Sequence, residues 1–271
     1  MHQQSLAGKR ILLTGATGSL GRKTALALAS MGAALLLPVR NPAKATALEM
    51  ELQSAVPDAD IRFLTLDMAD ESSILSLAEQ LCAENQPLDA MIHNAGVFTK
   101  AGLASPQGTE WHQQVNALSP LLLTRKLLPL LTLAEAPAVV TVTSLSAFWL
   151  TDGGKSCNSA SPTQLYAASK RQFLHEMQSL AQCHPAIRFV YAHPGVCATG
   201  LFTGGTHQTA YNAGFLKIAL PLMKLLFPAP KNACRTTLQA LLHGKSGQLA
   251  EPGGLFHIWG KPNFVPLEKR M

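Results

Sequence analysis

Charge is scarce in this sequence. Asp, Glu, Lys and Arg make up 14% of the 271 residues, against 47% hydrophobic ones. That balance excludes a disordered chain and provides for a large buried core. No long run of Lys and Arg occurs, although the formal net charge is +6. The cations come at most in adjacent pairs, such as Arg125–Lys126, Lys170–Arg171 and Lys269–Arg270, so no nucleic-acid-binding stripe is expected. The five cysteines (Cys82, Cys157, Cys183, Cys197 and Cys234) form no C-x-x-C pair, and their number is odd. Neither a disulfide framework nor a zinc site is expected, and scattered thiols suit a reducing, cytoplasmic compartment. The first eight residues lack an apolar signal core, and no run of about 18 apolar residues is free of charge, so neither secretion nor a membrane span is expected. H-x-x-x-H, H-E-x-x-H and G-x-S-x-G are all missing. A metal centre on His93, His175, His184, His193 or His207 is therefore not expected, nor is a serine hydrolase. These histidines are read as structural.

Short apolar runs are plentiful: Ile11–Leu13, Ala34–Val39, Ile61–Leu66, Ala90–His93, Ala138–Thr143 and Ile187–Ala192. Turn-forming residues bound most of them, as expected for strands buried on both faces. Segments with helical spacing lie between them, at Leu20–Met31, Ser72–Glu84, Trp111–Leu131 and Pro162–Gln182. Alternating strands and helices predict an α/β protein. Its architecture would be one Rossmann-type domain over 1–271, a doubly wound parallel sheet flanked by helices. Ligands of such sheets bind beyond the carboxyl ends of the strands.

The first strand runs directly into Thr14-Gly15-Ala16-Thr17-Gly18-Ser19-Leu20-Gly21, and a helical segment follows. Glycines there permit a tight turn and close approach to a phosphate. The helix N-terminus adds free N–H groups and a positive dipole end. The second strand ends at Arg40, with Lys44 one turn on. An acidic residue at this point takes the ribose hydroxyls of NAD, whereas an arginine accommodates a 2′-phosphate. The expected cofactor is NADP(H) rather than NAD(H).

Tyr166 and Lys170 fall at i and i+4 near the start of a predicted helix, so both point into one cleft. A neighbouring ammonium stabilises a phenolate, which lets a tyrosine exchange protons near neutral pH.

With these residues in order, the sequence resembles the short-chain dehydrogenase/reductase family from about Gly8 to about Gly260. The matching elements are the glycine loop, Asp67-Met68, Asn94-Ala95-Gly96, Asn116, Ser144, Tyr166 with Lys170, and Pro194-Gly195-Val196 with Thr199. The resemblance implies an oxidoreductase in which Tyr166 is general acid in reduction and base in oxidation. Lys170 would tune Tyr166 and hold the nicotinamide ribose. Ser144 would bind the substrate oxygen, and Asn116 would hold a water linking Lys170 to solvent. Asp67 would contact the adenine, and the Pro194–Thr199 segment would contact the nicotinamide. Asp67 also has the chemistry to cap the following helix.

Three departures from the family pattern stand out. The glycines are spaced T-G-x-x-G-x-x-G, as in the extended branch. His93 occupies a position where asparagine is usual. Ser144 and Tyr166 are 22 residues apart, with Trp149–Thr163 read as an inserted loop. Longer spacing of this kind resembles retinol dehydrogenases and protochlorophyllide reductases. A substrate lid is expected over about 200–231, and its 215–228 stretch is strongly apolar. That stretch would cover an apolar substrate, lie on a membrane surface, or form a dimer surface, or it would pack on the chain's own core. Phe98, Leu145, Phe148, Trp149 and Phe202 are the candidate pocket residues. The expected reaction interconverts a carbonyl and an alcohol. Reduction of an activated C=C bond, or a non-catalytic NADP(H)-binding regulator, are the alternatives. The resemblance also implies a homodimer or homotetramer.

Overall fold

The computed structural model describes residues 5–150, 160–195, 230–254, 257–258 and 260–271. Chain order begins with β1 (Arg10–Leu13), α1 (Ser19–Ser30), β2 (Ala34–Val39), α2 (Pro42–Ala55), β3 (Ile61–Thr65), α3 (Glu71–Glu84) and β4 (Ala90–His93). Then come the single turn α4 (Trp111–Gln113), a π turn (Gln114–Leu118), α5 (Ser119–Thr132), β5 (Ala138–Val142) and the short α6 (Ser146–Trp149). The chain closes with α7 (Pro162–Cys183), β6 (Arg188–Ala192), α8 (Pro230–His243), β7 (Gln248–Pro252) and β8 (Pro262–Pro266).

These strands form one sheet in the order β3-β2-β1-β4-β5-β6-β7-β8. Every pairing is parallel except β7 with β8. Side chains alternate across it as the two-residue strand period requires. Leu12 enters the core layer shared with Leu77, Leu127 and Phe173. Its neighbours Ile11 and Leu13 enter the opposite layer, with Leu28, Leu48 and Leu241. The result is the doubly wound α/β fold expected from the sequence.

Helix starts follow local chemistry. The side chain of Asn41 accepts the Lys44 N–H and Pro42 opens α2. Ser161 and Gln164 form a reciprocal capping box ahead of Pro162 at the start of α7. Each such cap is worth about 1 kcal/mol. Asp70, not Asp67, caps α3 by accepting the Ser72 N–H. Asp67 instead accepts the Ala69 N–H at 2.9 Å, closing a turn of its own.

Trp111–Leu131 is not the continuous helix its periodicity predicts. The ladder widens to a π turn at 114–118. Pro120 has no N–H to give the carbonyl of Asn116, so an α ladder cannot run straight through. Ser119 leaves the helix face to bond Met68 O at 2.6 Å. The expected insertion also differs at both ends: Trp149 belongs to α6, and Pro162 and Thr163 already belong to α7. The predicted lid over 200–231 lies outside the described residues as far as 229, and its last two residues open α8.

Candidate active site

The carboxyl ends of β1, β4 and β5 carry most of the residues singled out from the sequence. β1 delivers Thr14 and the glycine turn. Gly15 has φ +69°, a region that favours glycine. A Cβ on Gly21 would stand 2.1 Å from Gly15 O, so α1 approaches the turn too closely for any side chain. Asn94, just past β4, locks this turn from below. Its Nδ2 donates to Thr14 O at 3.1 Å and Gly15 O at 3.2 Å, while its N–H donates to Thr14 Oγ1. The Ala95 N–H donates to the same Oγ1. The loop suits a pyrophosphate: α1 begins at Gly18 with no side-chain cap and no acidic residue in its first turn. Thr17, Ser19 and Leu20 flank Gly18 at this helix start and are partly exposed.

Arg40, at the end of β2, lies 3.8 Å from Asp67 Oδ1, and both are partly exposed. The two residues assigned to the adenosine end are thus brought together, with Met68 next to them on the Ser119 bond. Lys44 is exposed in the first turn of α2.

The catalytic candidates meet between β4, β5 and α7. Tyr166 is 8% exposed and Lys170 5%. The capping box fixes the start of α7 one turn before Tyr166, so both side chains leave one face of a well-anchored helix. Lys170 Nζ lies 6.0 Å from the Tyr166 ring centroid. Its one hydrogen bond among the described residues is a long one, to Val142 O at 3.4 Å. Burial therefore pushes the Lys170 pKa down to about 8. A Cβ on Gly96 would stand 3.1 Å from Nζ and 3.4 Å from Asn116 Oδ1, so Gly96, Asn116 and Lys170 converge on one point.

Asn116 is spent on the scaffold. Its Oδ1 accepts the Val97 N–H at 2.8 Å, and its Nδ2 donates to Val97 O and Ser169 Oγ. Ser169 in turn donates to Tyr166 O. Ser144 lies two residues past β5, where its Oγ accepts from the N–H and hydroxyl of Ser146. Arg171 ties this turn to α7 by donating to Ala147 O and Leu150 O. The Ser144 turn and the Tyr166–Lys170 face are thereby held in register.

On the substrate side, Phe98 packs edge-on against Tyr166 with ring centroids 5.4 Å apart. Leu145 is buried and Phe148 partly buried, whereas Trp149 is 54% exposed. Phe202, Val196 and Thr199 lie outside the described residues, and Pro194 and Gly195 follow β6 directly.

Sequence reasoning missed the Glu110–His112 pair behind Phe98. His112 is fully buried; its Nε2 accepts the Thr99 N–H at 3.1 Å, so its ring proton sits on Nδ1, 2.7 Å from Glu110 Oε1. Burial would raise the Glu110 pKa, but the bonds from His112 and the Gln113 N–H outweigh that and hold it below the ordinary carboxylate value. The sequence signal was only a histidine at i+2 from a carboxylate.

Comparison with known proteins bears on the family and the fold. The family model described as short chain dehydrogenase matches residues 9–209, and the chain belongs to that family. The short-chain dehydrogenase/reductase bet4 of Neocamarosporium betae is 29% identical over 84% of this chain and 69% of its own. Human retinol dehydrogenase 12 is 34% identical over 52% of this chain, a match spanning only 45% of that relative. Among solved structures, a short chain dehydrogenase from Pseudomonas syringae has a TM-score of 0.71 at 25% identity, covering 91% of this chain and 94% of that one. A short chain dehydrogenase from Shigella flexneri, crystallised with NADP, has a TM-score of 0.62 at 26% identity, covering 82% and 93%. No helix among the described residues is long and apolar enough to cross a membrane.

Proposed function

We propose that this chain is an NADP(H)-dependent oxidoreductase that interconverts a carbonyl and an alcohol on an apolar substrate. The carrying observation is the buried ammonium of Lys170 beside Tyr166, held there with one long hydrogen bond. A cation so placed favours the phenolate, and Tyr166 can then give a proton to the substrate oxygen in reduction or take it in oxidation. The bound nicotinamide would supply or accept the hydride. Ser144 would donate to the same substrate oxygen and stabilise its developing charge.

The amide of Asn116 is committed to Val97 and Ser169. The water that links Lys170 to solvent is therefore assigned to its main-chain carbonyl, which Pro120 deprives of an α-helical donor. The uncapped start of α1 supports pyrophosphate binding. Arg40 supports a 2′-phosphate, as does the NADP in the Shigella relative. Phe98, Leu145 and Phe148 would wall an apolar pocket, and the name of the human relative points to retinol, itself an apolar alcohol. The whole chain, 1–271, is taken as one cofactor-binding domain.

The test is NADPH consumption against a panel of apolar aldehydes, ketones and quinones. Tyr166→Phe should abolish turnover and keep cofactor binding; full activity in that variant would overturn the role of Tyr166. A lower Michaelis constant for NADH than for NADPH would overturn the role of Arg40.

A further inference from the structure

Beyond the proposed catalytic group, four side chains from distant parts of the chain meet at the carboxyl ends of β6 and β7. At their centre is Glu251, 1% exposed. Arg270, one residue from the C-terminus, forks onto it, with Nε 3.0 Å from Oε2 and Nη2 on Oε1. His257 Nδ1 lies 3.1 Å from Oε1. His193 Nε2 lies 3.4 Å from Oε2, close but not aligned as a hydrogen bond. Ala192 pairs with Ala250, so His193 and Glu251 are the next residues on neighbouring parallel strands and share a sheet face.

The His193 ring is oriented by its other side. Nδ1 accepts the Gly195 N–H at 3.1 Å, which requires a bare lone pair there and puts the ring proton on Nε2, toward Glu251. Burial holds the His193 pKa below its ordinary value despite the carboxylate, so the ring is neutral. The reversed tautomer would set two N–H groups face to face and leave a backbone donor unmatched. Gly195 itself has φ +77°. A Cβ there would stand 2.1 Å from Ile258 O and 3.2 Å from Pro252 Cγ, so the turn packs too closely to admit a side chain at 195. The His193 ring also packs 6.1 Å from Phe148, four residues past Ser144.

We infer that Arg270, Glu251 and His193 form a positioning relay that fixes the Pro194–Gly195 turn at the nicotinamide end of the cofactor site. Arg270 orients the carboxylate, the carboxylate fixes the ring proton, and the opposite nitrogen pins the turn. The C-terminal tail thereby governs cofactor affinity without touching the cofactor. The relay rests on the NADP(H) reading above.

The full chain and four variants would be compared for NADPH dissociation constant, kcat and Tm. His193→Leu removes the acceptor, whereas His193→Asn keeps an oxygen where Nδ1 stands. Arg270→Ala removes the fork. Leu267→Ala is the control: it trims a fully buried apolar side chain of the same tail and keeps the main-chain carbonyl that accepts the Arg270 N–H. His193→Leu and Arg270→Ala should each weaken NADPH binding about tenfold, more than they lower kcat, while His193→Asn should stay within about threefold of wild type. Leu267→Ala should lower Tm as far and leave NADPH affinity unchanged. Wild-type affinity in His193→Leu or in Arg270→Ala overturns the relay. So does a loss of affinity in Leu267→Ala that tracks its Tm. A wild-type chain that binds neither NADPH nor NADH overturns the cofactor reading itself, and the relay with it; that outcome is distinct from a binding chain indifferent to His193.

Discussion

Lys170 and Glu251, two charges buried among the described residues, are treated in opposite ways. Lys170 is 5% exposed and, among the described residues, its Nζ has one hydrogen bond, to Val142 O at 3.4 Å. Glu251 is 1% exposed and is surrounded by Arg270, His257 and His193. The consequence is visible in their proton affinities. Burial pushes Lys170 down to about 8. Burial would push Glu251 up, yet its partners hold it at about 2. A charge that serves as scaffold is saturated with partners, because an unmatched buried ion is costly. A charge with few fixed partners, such as Lys170, keeps its field and donors for something else.

The sharpest way to break this contrast is to remove each charge. Lys170→Met keeps the length of the side chain and deletes the ammonium. Turnover should fall at least about a hundredfold, since the phenolate of Tyr166 loses its stabilising cation. Stability at pH 7 should hold or rise, because a poorly matched buried charge has gone. The pH dependence follows from the sign of the shift. The folded pKa of about 8 lies below the ordinary lysine value of 10.5. Between those values the unfolded chain binds the extra proton, so wild-type stability should rise with pH across that window. Urea unfolding at pH 8 and pH 10 should show this rise in the wild type and not in Lys170→Met. A variant that kept full turnover would place the field acting on Tyr166 elsewhere.

Glu251→Gln should do the reverse. It leaves Arg270 and the histidines without their counter-charge and should cost about 3 kcal/mol in chemical denaturation. The wild-type contribution is present above pH 4.5 and is lost as pH falls through about 2, since the folded pKa is depressed. A neutral result would mean that the cluster is held by packing rather than by charge.

The two regions also differ in how much of them could be read from sequence. The Lys170 side is local. Thr14 to Gly21, Tyr166 with Lys170, and Arg40 at a strand end are each legible within a few residues, because helix and strand periods decide where they point. The Glu251 side is not, since it joins His193 to Arg270 across 77 residues, and no period links them. β7 and β8 were missed for a related reason. Both are short and carry prolines at their ends (Pro252, Pro262 and Pro266), which lower strand propensity; Pro262 and Pro266 lie on the edge strand β8 and Pro252 is the last residue of β7. The π turn at Asn116 had a signal in Pro120. A proline near a helix start is ordinary, however, so only the bonds to Val97 and Ser169 reveal the widened turn. The alternative reading of Asp67 as a helix cap missed by three residues, because Asp70 offers the same chemistry closer to α3.

A smaller effect tests whether His93, beside Lys170, belongs to the saturated or the unsaturated class. Its Nε2 lies 2.7 Å from Thr124 Oγ1, whose own proton goes to Pro120 O. The ring proton is therefore on Nε2, and Nδ1 is buried without a partner. Burial, and then the charge of Lys170, push its pKa down to about 3. The folded chain thus refuses a proton that the unfolded chain accepts below pH 6.5, and stability is lost as pH falls from there toward 3. His93→Asn removes that term and places the amide usual in the family at this position. Urea midpoints at pH 7 and pH 5 should show wild type losing about 2 kcal/mol more than the variant over this interval. His193 is also held below its ordinary pKa, so some acid sensitivity should remain. Equal losses in the two proteins would mean that His93 takes up its proton in the folded state. Nδ1 would then have a partner, and His93 would join Glu251 rather than Lys170.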